Sequence, residues 1–181
     1  MLPFPIYANP VSGMLNMTTA LPEYCCRPDL GPKSYLATGR VKEHNDGTDS
    51  ATKLHLDMAD AINILVHTQK TDDSTKCIFE LTEMLTEVVL RSACSAVWCI
   101  ISRKDIATVT EYLRDPDAIS EKKSYLTEKD RKTLIEEHGV DMWIFEQFEN
   151  EAVYIPSGCP HQVRNTRPCF KVSLSFLHTF F

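Results

Sequence analysis

LHLDMADAINILVHT, running from Leu54 to Thr68, changes its hydrophobic period part-way along. Leu54, Leu56 and Met58 alternate with His55 and Asp57, the period-two signature of a strand with two different faces, and the polar face carries an imidazole and a carboxylate. Ala61 to His67 is more continuously apolar and β-branched, the composition of a strand covered on both sides. Two such segments in tandem place this stretch inside a layered or closed β-structure.

Working outward, a short strand is expected at Ser34 to Thr38, separated from the His55 strand by the polar run at residues 40–50 with its Asp46-Gly47 turn signal. Upstream, Pro3, Pro5, Pro10, Pro22, Pro28 and Pro32 break the chain into loops with at most short helices or edge strands, a wrap around the core. Downstream, Ser74 to Arg91 spaces Ile78, Leu81, Leu85, Val88 and Val89 for one amphipathic helix. AVWCII, Ala96 to Ile101, predicts a strand. Ser102 with Asp105 predicts a capping box opening a helix through Leu113, and Thr127 with Asp130 repeats the device, with Gly139 as the left-handed stop. Met142 to Phe148, Ala152 to Ile155, Gln162 to Arg164 and Phe170 to Phe176 read as closely spaced strands, with turns at Glu149-Asn150 and at Pro156 to Pro160. Strands early and late around central helices predict an antiparallel sandwich or barrel with helical decoration.

The chain's 181 residues fit one compact domain, and 43% apolar with 24% charged residues can bury a core. Nineteen basic against 25 acidic residues give a net charge of −6, without the basic surplus that direct DNA binding requires. Seven cysteines form an odd set without a CxxC pair, which argues for reduced intracellular thiols over a disulfide framework or zinc ribbon. The N-terminal MLPFPIYANPVSG lacks the plan of a signal peptide, no run approaches 18 apolar residues, and the final HTFF matches no lipidation signal, so a cytoplasmic or nuclear protein with no membrane contact is expected.

Two imidazoles and one carboxylate on one face of a metal, with the remaining positions open, are the ligand set of a non-haem Fe(II) oxygenase. An H-x-D on a strand supplies two of the three, because residues i and i+2 point the same way. Composition alone yields roughly 0.8 chance matches to H-x-[DE], and two occur. His44-Asn45-Asp46 runs into Gly47 and reads as loop chemistry. His55-Leu56-Asp57 has alternating apolar flanks, so its polar pair faces either a common concave side or solvent at a sheet edge. The third ligand must come from elsewhere, and His161 in IPSGCPHQV follows a turn made rigid by two prolines and a glycine; it reads either as a delivered ligand or as a surface residue. His67, His138 and His178 have weaker contexts.

LPEYCCRPDLGPKSY (Leu21–Tyr35), the ATKLHLDMADAINILVHT stretch (Ala51–Thr68), AVWCIISRKDIATVTEYL (Ala96–Leu113) and YLTEKDRKTLIEEHGVDMWIFEQFENEAVYIPSGCPHQVRN (Tyr125–Asn165) resemble the JmjC domain of the histone H3 lysine-9 demethylases, the lysine demethylase 3 group related to Hairless. The resemblance runs in order from about Leu2 to Val172. It implies a mainly β double-stranded β-helix, the cupin-like jelly roll, with flanking helices. It implies Fe(II) bound by His55, Asp57 and His161, and 2-oxoglutarate as co-substrate, with Thr52 as the hydroxyl donor and Lys171 as the ammonium. Lys70 is the runner-up, and Asn63 is a further contact or a core residue. The implied activity is removal of methyl groups from lysine 9 of the histone H3 tail, in the nucleus and among chromatin-associated proteins. The alternatives are an inactive module that scaffolds chromatin partners and a hydroxylase with a non-histone substrate.

Against the family pattern, the single domain over residues 1–181 is expected to lack the family's N-terminal part and usual C-terminal end. Its insertion after the His67 strand is shortened, and Cys99 stands where a His or Asp is usual. Open sheet edges, reduced stability or self-association, and weak rather than absent activity are the corresponding expectations.

Overall fold

A computed structural model describes residues 5–26, 28, 30–39, 50–69 and 95–177. The helix expected at Ser74 to Arg91, the turn at Asp46-Gly47, and His44, Lys70 and His178 lie outside the described residues. Among the described residues, eight strands form two four-stranded antiparallel sheets: β1 (Lys33–Ala37), β2 (Ala51–His55), β3 (Asp60–Thr68), β4 (Ala96–Ile101), β5 (Met142–Gln147), β6 (Ala152–Ile155), β7 (His161–Asn165) and β8 (Cys169–Phe176). One sheet has the order β1-β8-β3-β6, the other β2-β7-β4-β5. Along the strands in chain order, the sheet changes at every step except that from β4 to β5, which is the winding of a jelly roll.

Each sheet's two faces are set by side-chain alternation. On β4, Ala96, Trp98 and Ile100 point between the sheets, where they pack with Ala61, Val153, Ile155, Cys159 and Val163. Cys99 and Ile101 point the other way, into a second cluster with Leu54, Val109, Ile119, Leu126, Leu134 and Val140. That second cluster fills the space under two helices, α2 (Ile106–Leu113) and α3 (Glu128–Glu136). Leu126 and Leu134 are wholly buried in it, a contribution of about 1.5–3 kcal/mol each by area removed from water.

The two helix starts expected from sequence differ. At α3 the capping box forms: the Thr127 side chain accepts from the Asp130 backbone N–H at 3.3 Å, and the Thr127 N–H donates to Asp130 Oδ2 at 2.9 Å. At Ser102 no side-chain cap forms. A short 3-10 turn (Arg103–Asp105) opens α2 instead, and the Asp105 carboxylate accepts from the Asp141 backbone N–H at 2.9 Å, tying the helix start to the entry of β5. The long-range bond outcompetes the local one. Thr127→Ala is therefore expected to cost about 1 kcal/mol, read as a lower urea midpoint at unchanged slope, whereas Ser102→Ala should leave the midpoint within error.

The proline-broken N-terminal stretch wraps the end of the sheet containing β8. A four-residue helix α1 (Pro5–Ala8) and a 3-10 turn (Met17–Ala20) are pinned by the Met17 N–H donating to the Leu177 carbonyl and by Tyr7 against Phe176, ring centroids 6.3 Å apart. The chain then enters β1 as an edge strand on β8. Among the described residues, no helix is long and apolar enough to cross a membrane, and the five cysteines Cys25, Cys26, Cys99, Cys159 and Cys169 are free thiols.

Candidate metal centre

His55 closes β2 and stands directly opposite His161, which opens β7. Asp57 does not share the strand, as the alternation had implied: β2 ends at His55, and Asp57 lies in the loop to β3. That loop is stitched to the Pro156–Pro160 turn. Gly158 N–H donates to the Asp57 carbonyl at 2.8 Å, Ser157 Oγ donates to the Met58 carbonyl at 2.8 Å, and Ser157 N–H donates to Asp60 Oδ1 at 2.9 Å. Gly158 holds φ +71°, a left-handed conformation that favours glycine. One rigid unit thus presents Asp57 and delivers His161, and the ligand atoms of His55, Asp57 and His161 all lie within 4.8 Å of one another.

Both rings are aimed from behind. His55 Nδ1 lies 2.8 Å from the Lys53 carbonyl and His161 Nδ1 lies 3.0 Å from the Cys159 carbonyl. Each carbonyl fixes the proton on Nδ1 and leaves Nε2 as the free lone pair, which is the usual way a protein orients a metal-binding imidazole. Burial is the main reason that both imidazoles resist protonation; His161 is pushed down to about 4, with the neighbouring His55 adding to the effect. Neutral imidazoles are the ligand-competent form. Two of them with one carboxylate are a donor set suited to a divalent transition metal, so the residues present fit such an ion.

The register of β2 explains Thr52. Thr52 pairs with Val163 and His55 with His161, so three residues of β2 span two of β7. This bulge inserts one extra residue, and residues 52 and 55, which an unbroken strand would put on opposite faces, both line the same cavity. Also lining it are Tyr35, Asn63, Trp98, Lys171 and Ser173. Lys171 is 4% exposed and points between the sheets from the middle of β8. Its Nζ lies 5.4 Å from the Trp98 ring centroid, and burial lowers its pKa to about 8. Among the described residues it joins no ion pair, unlike Lys104 with Asp141, Lys123 with Glu121 and Lys132 with Glu136. Asn63 Oδ1 is buried in the same cavity with no hydrogen-bond partner among the described residues. A buried cation and an unsatisfied amide beside the histidines fit a small anionic co-substrate with further polar atoms.

Trp98 was not singled out from the sequence, yet it forms the floor of the site. Its ring lies nearly parallel to that of His161, at 25° and 6.3 Å between centroids, and its Nε1–H donates to Gln147 Oε1 at 2.8 Å. The signal was available in AVWCII, since Trp98 shares parity with Ile100 on the inward face. Gln162 was also missed. From the outer face of β7 it donates to the Leu126 carbonyl and accepts from its N–H, both at 2.8 Å, fixing the segment that carries Lys122 beside β2.

Other sequence candidates fall elsewhere. His67 meets Glu149 on the surface at 3.6 Å, and His138 sits against Tyr112 beyond α3. Cys99 is turned away from the histidines into the helix-side cluster, so its departure from the family pattern does not touch the triad.

Residues 47–176 match the family described as JmjC domain, hydroxylase. The chain is 36% identical to lysine-specific demethylases JMJ26 and JMJ29 of Arabidopsis thaliana and 34% identical to human lysine-specific demethylase 3A, in each case over 97% of its own length. It spans a quarter of the Arabidopsis proteins and 15% of the human one. With a two-sheet jelly roll, a His-Asp-His cluster at its mouth and relatives of this kind over nearly its whole length, the chain belongs to the JmjC domain family, in its lysine demethylase 3 branch.

Proposed function

We propose that this chain is an Fe(II)- and 2-oxoglutarate-dependent demethylase of lysine 9 in the histone H3 tail, acting in the nucleus among chromatin proteins. The observation that carries the reading is the convergence of His55, Asp57 and His161 in one cavity with a buried Lys171 that joins no ion pair among the described residues. JmjC domains form an Fe(II)/2-oxoglutarate dioxygenase family, and the curated relatives are named as lysine-specific demethylases.

In this reading His55, Asp57 and His161 hold the metal, and Lys171 and Thr52 hold the co-substrate's distal carboxylate. The bound pair supplies oxidation of a C–H bond by dioxygen, with one oxygen atom leaving in succinate beside CO2 and the other entering the substrate methyl group. The chain's part is geometry. The Nδ1 contacts aim both imidazoles, burial keeps them neutral, and Trp98 and the apolar residues between the sheets exclude water. Hydroxylation of an N-methyl group gives a hemiaminal that breaks its C–N bond, releasing formaldehyde and the amine.

The test is mass spectrometry of methylated histone H3 peptides after incubation with iron-loaded protein and 2-oxoglutarate. Loss of methyl groups from lysine 9, and not from an equally methylated lysine elsewhere in the tail, is the expected result. Gain of one oxygen without methyl loss would favour the second reading, a protein hydroxylase, which the family's description as a hydroxylase also suits. Succinate formation that no peptide product accompanies would contradict both.

A further inference from the structure

The strand registers define a row of side chains crossing the whole β2-β7-β4-β5 sheet: His55 opposite His161, His161 opposite Ile100, Ile100 opposite Trp143. Directly paired residues share a face, so Trp143 stands on the side that faces the opposing sheet, with Phe145 two residues on packed into the inter-sheet core. Trp143 itself is not packed. It is 55% exposed, whereas Trp98 is 2% exposed. A large aromatic on an inward row that remains open to solvent stands on the edge strand beside the cavity, outside its lining, two inter-strand spacings or roughly 10 Å from His161.

The two ends of the row differ in charge. At the β2 end the Ser124 carbonyl accepts from the Leu54 N–H and the Lys123 carbonyl from Lys53 Nζ, so the Lys53 ammonium and the Lys122-Lys123 segment lie together there. A cationic peptide is repelled there. At the β5 end stands an indole face, which attracts cations by its quadrupole, on a chain of net charge −6.

Resting on the demethylase reading above, we propose that Trp143 is a specificity-determining residue whose indole face binds the peptide flanking the target lysine, with preference for a neighbouring basic residue. An extended lysine side chain reaches roughly 6 Å by summed bond lengths. With its methylated end at the triad, Trp143 is therefore level with the adjoining residues and not with the reacting methyl.

The experiment pairs peptides carrying Arg or Ala beside the methylated lysine with the wild-type chain, Trp143→Ala and Trp143→Phe. Peptide binding is followed by tryptophan fluorescence and turnover by formaldehyde release. The Arg peptide should blue-shift and alter the wild-type emission, and Trp143→Phe, which keeps Trp98, should lose that shift. Trp143→Ala should raise the peptide KM about tenfold with a much smaller effect on kcat, and Trp143→Phe should recover most of the loss. Changing Arg to Ala in the peptide should weaken wild-type binding and leave Trp143→Ala binding as it was, the non-additivity of a direct contact. A fluorescence shift that survives in Trp143→Phe, a wild-type KM in Trp143→Ala, or an equal Arg-to-Ala effect in both proteins would overturn the inference. Because binding is read spectroscopically even without turnover, the inference is decided by the spectra and the demethylase reading by the product masses.

Discussion

His55→Ala loses its iron and His44→Ala keeps it: this is the outcome expected when both variants are loaded under identical anaerobic conditions and their metal content is measured. His55 is one of three ligand atoms converging within 4.8 Å. Removing even a residue that only orients a metal ligand typically lowers affinity 10–100-fold, so deleting the ligand itself should cost more than about 100-fold and abolish turnover. His161→Ala should behave alike, because the two rings are cross-strand partners with centroids 4.3 Å apart. Equal iron in the His55 and His44 variants would overturn the choice between the two H-x-D matches in the chain.

Lys171→Met should weaken 2-oxoglutarate binding by at least tenfold while raising the stability of the protein free of co-substrate. Both effects have one cause. The ammonium is buried against Trp98, and burial lowers its pKa from 10.5 to about 8. A lysine whose folded-state pKa is depressed binds fewer protons folded than unfolded between those two values, so stability rises with pH across that window. Below pH 8 the full penalty is present, about 3 kcal/mol for a shift of this size. Methionine removes it. The variant's advantage in unfolding free energy should therefore be greatest near pH 7 and fade as pH climbs towards 10.5. Tyr35, across β1, and Cys169, two residues along β8, also titrate in the alkaline range and are common to both proteins, so the difference between variants isolates Lys171. Adding 2-oxoglutarate should stabilise the wild type and not Lys171→Met. If Lys70→Met alone raised the co-substrate requirement, the anchor would move to that earlier lysine.

Much of the fold was legible because its strands show either a period of two or a short β-branched apolar run. Ala61 to His67 and Phe170 to Phe176 fall within β3 and β8 to a residue or two at each end. The Thr127 box was legible because a cap is local, whereas the Ser102 box failed because Asp105 found a partner 36 residues away. The site was legible in part. His55 and His161 could be named from flanking pattern and turn chemistry, but a bulge in β2 places Thr52 beside His55, and bulges leave little trace in hydropathy. Asp57 reaches the cluster from a loop anchored on Gly158, a contact between segments a hundred residues apart that no periodicity encodes. Trp98 was not singled out, because its hydropathy is that of any strand residue in a core; only the register across β7 shows that it backs His161.

The central claim is that one cavity holds both a metal and the co-substrate, and it is tested most directly by calorimetric titration of 2-oxoglutarate under anaerobic conditions. The titration is made into wild type with Fe(II), wild type without metal, and His161→Ala with Fe(II). Tight binding with unit stoichiometry is predicted for the first alone, with affinity at least tenfold weaker in the other two, because in the proposed reading the co-substrate would be held by the metal as well as by Lys171. Equal 2-oxoglutarate affinity in all three samples, or no binding to the folded, iron-loaded wild type, would contradict the account.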